Sequence, residues 1–143
     1  MGLREHTGTC VIARPPAEVW AVLADAAGYQ DWNPEVTRID GTIATGARIR
    51  AHVKLGSGVV RAVRLTVTEL EPPSRMVWVA GMPFGLFTGT RTFTVSPAPE
   101  GSRFSLHLEM KGVMLPLILK SVGDRQPEVE LFCASLKARV EAR

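Results

Sequence analysis

Between Ile49 and Met110 apolar residues recur at every second position in one short segment after another. That period places alternate side chains on opposite faces and commits this part of the chain to β-structure. Ile49, Ala51, Val53 and Leu55 alternate with Arg48, Arg50, His52 and Lys54, a half-buried strand with a basic outer face. Gly56-Ser57-Gly58 turns the chain into a second run, where Val63, Leu65 and Val67 lie opposite Arg64, Thr66 and Thr68. Pro72-Pro73-Ser74 breaks that run, and Arg75 to Ala80 begins another. Thr88, Thr90, Thr92 and Thr94 then alternate with Gly89, Arg91, Phe93 and Val95. After the Pro97–Gly101 turn, Phe104, Leu106, Leu108 and Met110 alternate with Ser105, His107, Glu109 and Lys111. Consecutive strands joined this closely pair as an antiparallel meander.

The flanks read differently. Thr7 to Ala13 is a short β-prone piece ended by Pro15-Pro16. Val19, Trp20, Leu23, Ala24 and Ala27 follow at helical spacing, predicting about three turns that stop at Gly28. The tract Tyr29–Pro34 is rich in turn formers. Beyond Gly112, Leu115 to Val122 is an apolar helix broken by Gly123, and Pro127 suits the first turn of the last helix. There Val129, Phe132, Cys133, Leu136 and Val140 form one stripe against Glu128, Glu130, Lys137 and Arg139. The expected fold class is α+β over residues 1–143 as one domain: a curved antiparallel sheet covered by helices. The strands offer more apolar side chains than one helical stripe covers, which predicts a cavity beneath the helix.

Composition excludes several classes. Hydrophobic residues make up 45% and charged residues 22% of the 143, ordinary for a globular chain. A net charge of +3, without aromatics interleaved in a basic run, argues against nucleic acid as a partner. The polar opening Met1–His6 lacks the apolar core of a secretory signal, and no stretch approaches the length of a membrane span, so a cytoplasmic protein without stable membrane insertion is expected. Cys10 and Cys133 read as reduced, buried fillers. His6, His52 and His107 have no metal-ligand spacing, and neither a phosphate loop nor a nucleophile elbow occurs. No metal and no cofactor is expected, and the chain is expected as a monomer or weak homodimer.

Pro16-Ala17-Glu18-Val19-Trp20-Ala21-Val22-Leu23-Ala24-Asp25, followed by Tyr29-Gln30-Asp31-Trp32-Asn33-Pro34, resembles the opening of the START/Bet v 1-like (SRPBCC) superfamily. It is most similar to the bacterial polyketide cyclase/dehydrase and lipid-transport branch, and the order of elements agrees along the whole chain. The resemblance implies a helix-grip fold, with about seven strands around a long C-terminal helix and a ligand cavity between them. Relatives often carry a glutamate on the last strand, two residues before an aromatic. Here those positions hold Leu108 and Met110, so the cavity lacks a carboxylate there.

Candidate ligand-contacting residues follow from inward faces and from the resemblance. Trp32 and Pro34 lie after the first helix, and Val53, Leu65, Val67 and Trp78 on the strands. Met82, Phe84 and Phe87 belong to an oddly apolar loop that either covers a cavity mouth or packs on the C-terminal helix. Arg91 and Phe93 share one strand face, Leu106, Leu108 and Met110 another, and Leu115 and Leu119 form the opposite lip. Arg91 stands out, because a cation beside an apolar wall binds a carboxylate, polarises a carbonyl or pairs with an acid. Glu69 is its expected partner. The leading expectation is binding or carriage of a small hydrophobic molecule, whether lipid, aromatic or polyketide-like. Two alternatives stand beside it: a cyclase, aromatase or dehydrase using Arg91, and a protein-interaction module using the basic face.

Overall fold

The computed structural model describes residues 2–143, and Met1 lies outside the described residues. The chain opens with β1 (Gly2–Ile12), α1 (Pro16–Leu23), a 3-10 turn at Ala26–Gly28 and the one-turn helix α2 (Tyr29–Trp32). A meander follows: β2 (Val36–Asp40), β3 (Arg48–Lys54), β4 (Val60–Glu71), β5 (Arg75–Met82), β6 (Phe87–Ala98) and β7 (Gly101–Gly112). Two helices, α3 (Leu115–Val122) and α4 (Gln126–Glu141), complete it. All seven strands form one antiparallel sheet in the order β1-β7-β6-β5-β4-β3-β2, curled around α4 in the expected helix-grip arrangement.

Three elements depart from the sequence expectation. β1 begins at Gly2 rather than Thr7, because it pairs with β7 along its whole length, from Gly2↔Gly112 to Ile12↔Ser102. That pairing overrides the polar character of Arg4 and Glu5. α1 stops at Leu23, since the chain tightens into the 3-10 turn before Tyr29. β2 has only five residues and bulges between Val36 and Arg38 on β3, too short and irregular for a period to show.

α4 spans about 24 Å at 1.5 Å per residue and lays Val129, Phe132, Cys133, Leu136 and Val140 on the sheet. Gly8 of β1 admits this approach, because a Cβ there would stand 2.9 Å from Cys133 Sγ. Far apart in sequence, Cys10 and Cys133 meet at this contact as free thiols, the Cys10 thiol donating to the Cys133 carbonyl at 3.6 Å. Phe132 is the hub of the core. Its ring lies 5.6 to 6.2 Å from those of Tyr29, Trp32, Phe93 and Phe104. No helix among the described residues is long and apolar enough to cross a membrane.

Truncating that hub removes contacts to α2, β6 and β7 at once. Phe132→Ala is expected to lower the unfolding free energy by about 3–5 kcal/mol, read from urea denaturation by circular dichroism. A loss below about 1 kcal/mol would contradict this packing.

Candidate functional site

Beyond the aromatic hub, toward α3, the inner face of the sheet is hollow. A cavity of about 440 Å³ lies between the ends of β3 to β7 and α3, within the usual range for ligand pockets. Its apolar wall includes Val53, Leu55, Val63, Leu65, Met82, Phe87, Leu108, Met110, Ile118 and Val122. The charged residues lining it are Arg61, Arg64, Arg91 and Arg125, with no carboxylate among them.

A buried ion cluster closes the inner end. Asn33 sets it up: its Oδ1 accepts the backbone N–H of Glu35 and of Val36, each at 2.9 Å, folding the chain through an Asx-type turn that aims Glu35 inward. The Glu35 side chain is 1% exposed. Arg91 donates to it through both Nη1 (2.9 Å) and Nη2 (2.8 Å), a bidentate pair. Arg125, at the start of α4, adds a third bond from Nη2 at 2.8 Å. One carboxylate therefore joins the α2–β2 connection, β6 and the α3–α4 corner. Burial draws both guanidiniums down. For Arg91 burial is the largest influence, but the Glu35 charge and its hydrogen bonds together outweigh it and leave the pKa raised; for Arg125 burial prevails, helped by the Arg91 charge. Both remain cations at neutral pH. Arg125 keeps unspent capacity, because its buried Nη1 has no hydrogen-bond partner and faces Glu128 Oε1 only at 3.9 Å.

Glu69 does not partner Arg91. A bulge between Val67 and Glu69 on β4 reverses the alternation, so Glu69 turns outward and meets Arg75 at 3.5 Å. Glu128 likewise leaves the outer face expected for it and is buried beside Arg125.

Of the candidate ligand-contacting residues, Val53, Leu65, Met82, Phe87, Arg91, Leu108 and Met110 line the cavity. Val67, Trp78, Phe93 and Leu106 point inward but are fully buried where the core is solid, the Trp78 and Phe93 rings 4.6 Å apart. Trp32 packs its edge against Phe132, and Pro34 is exposed. Leu115 is buried, and Leu119 is half-buried against the core. Phe84 stands 99% exposed at a hairpin tip with φ of 61°, away from the cavity wall. The residues missed by sequence reasoning are Glu35 and Arg125, which lie 56 and 90 positions from their partners Arg91 and Glu35. The only sequence trace of Glu35 is its place after Asn33-Pro34.

Elsewhere, Glu5, His107 and Glu109 converge on the outer face of β1 and β7. Both His107 ring nitrogens are already engaged there, by Thr7 Oγ1 at 2.8 Å and Glu5 Oε1 at 3.2 Å.

Comparison with known families gives one match: the family described as polyketide cyclase / dehydrase and lipid transport, over residues 5–141. Comparison with functionally curated proteins returns no match. Solved structures of the same fold include a protein of Thermus thermophilus, 23% identical with a TM-score of 0.73, covering 97% of this chain and 98% of its own. A Mesorhizobium loti protein is 22% identical with a TM-score of 0.71, at 97% and 98% coverage. Ara h 8.0201 is 12% identical with a TM-score of 0.66, covering 99% of this chain and 100% of its own. These likenesses establish a Bet v 1-like fold.

Removing Glu35 leaves Arg91 buried without a carboxylate and Arg125 with only Glu128, at 3.9 Å. Glu35→Ala is expected to lower the unfolding free energy by about 3–5 kcal/mol, and replacing Glu35, Arg91 and Arg125 together by Met to restore most of that loss. Urea titration of the two variants checks both.

Proposed function

We propose that this chain, which belongs to the polyketide cyclase/dehydrase and lipid transport family, binds and carries a small hydrophobic molecule in the cavity beneath α3. The observation that carries this reading is an apolar cavity of about 440 Å³ whose charged lining residues are all arginine. Apolar ligands gain about 25 cal/mol for each Å² removed from water. Arg125 lines the cavity among these apolar side chains, so a bound chain packs beside its guanidinium.

Carriage fits this geometry better than a cyclase or dehydrase reaction. Proton transfer requires a group that titrates near the working pH, and the ionisable groups lining the cavity are guanidiniums. Arg91, the residue best placed to polarise a carbonyl, spends both Nη groups on Glu35.

Titration with the neutral fluorescent probe N-phenyl-1-naphthylamine tests the reading. A saturable fluorescence rise at one probe per chain is expected. Leu108→Trp, which fills the cavity from β7, should weaken uptake about tenfold, equivalent to about 1.4 kcal/mol, while the protein stays folded. Equal uptake by both proteins, or none by the parent, would overturn it.

A further inference from the structure

The sheet splits along part of its length. β4 and β5 pair from Thr66↔Val79 to Glu71↔Arg75. Toward the cavity end, Val60–Leu65 pair only with β3, and Ala80–Met82 only with β6. The bulge between Val67 and Glu69 lies beside this parting, and such bulges bend a strand and increase its twist. A depression of about 560 Å³ occupies the outer side of the split and shares Arg64, Leu65, Ala80 and Gly81 with the cavity. Residues from both faces of β4 and β5 line the two spaces, as happens where a space runs between strands.

Arg48, Arg50 and Arg64 border the outer depression, together with one carboxylate, Asp40. Arg50 and Arg64 are directly opposite in the β3–β4 register, a destabilising placement for like charges. No carboxylate pairs with any of the three among the described residues. Asp40 lies directly opposite Arg50 in the β2–β3 register, but its two oxygens are taken by Arg38 at 2.8 Å and His52 at 2.9 Å.

We propose that the β4–β5 split is a lateral opening, and that the ligand is a single-chain amphiphile with its apolar body in the cavity and its anionic head, a carboxylate or phosphate, outside on Arg48, Arg50 and Arg64. This rests on the carrier reading and specifies its ligand class. The head belongs outside for an energetic reason. Inside, Arg91 and Arg125 already share Glu35, and a second carboxylate would have to shed its water there. Outside, the head stays hydrated and meets three unpaired guanidinium forks suited to bidentate contact. The ligand thereby relieves the Arg50–Arg64 opposition.

Isothermal titration with decanoate, decyl phosphate, decanol and inorganic phosphate tests this on the parent, on Arg50→Gln/Arg64→Gln and on Arg125→Met. The two anionic chains should bind the parent about tenfold more tightly than decanol at low salt, with the preference fading as salt rises. The double variant should bind all three chains like decanol, whereas Arg125→Met should keep the preference. Inorganic phosphate alone should bind far more weakly than decyl phosphate. Equal binding of decanoate and decanol by the parent would overturn this proposal and leave the carrier reading standing. So would a preference that survives in the double variant but vanishes in Arg125→Met, which places the head inside. Phosphate binding as tight as decyl phosphate would show two separate sites and also overturn it. If decanol does not bind either, both readings fall.

Discussion

Glu35 holds three parts of the molecule that are otherwise held by separate contacts. Its two oxygens take Arg91 from the sheet and Arg125 from the start of α4, while its own backbone carbonyl accepts the Lys54 N–H at 2.8 Å. Two guanidiniums on one buried carboxylate would be costly anywhere water had been excluded without bonds to replace it. Three bonds under 3 Å make the arrangement sustainable. The cluster also fixes where the core ends: on one side Phe132 fills the sheet's concavity, and on the other the concavity is left open.

That boundary gives the cavity its chemistry. At position 108 the resemblance implies a carboxylate, which would lie directly opposite Arg91 in the β6–β7 register. Leu108 stands there instead, and Glu35 supplies the compensating charge from the far side of the sheet. The acid is thus sealed behind two arginines, and the surface facing a ligand is apolar with cationic points. The split between β4 and β5 carries the same character to the outer face, so an oily interior and a basic exterior are joined through one gap in the hydrogen-bond ladder.

Alternation alone made most of the sheet legible, because a period of two survives wherever one face is buried. The stripe on α4 was equally plain, and all five of its residues are buried. Arg91 could be assigned to the inner face for the same reason. Periodicity does not report how much lies opposite an inward side chain. Trp78, Phe93 and Leu106 share that face with Leu108 and Met110, yet the first three are fully buried away from the cavity and the last two line it. Glu69 was misplaced because one bulge shifts every later residue to the other face. Glu35 and Arg125 carried no local signal at all. Their meaning comes from contacts between segments that only the folded chain brings together.

The account depends on Arg125 facing the ligand while Arg91 remains sealed by Glu35. The most direct measurement follows the arginine Nε–Hε resonances by NMR during titration with decanol, using Arg38 on the surface as the reference. The Arg125 signal should shift and saturate at one decanol per chain, with Arg91 moving little and Arg38 not at all. A stationary Arg125 signal at saturating decanol, or shifts confined to residues outside the cavity, would contradict the account.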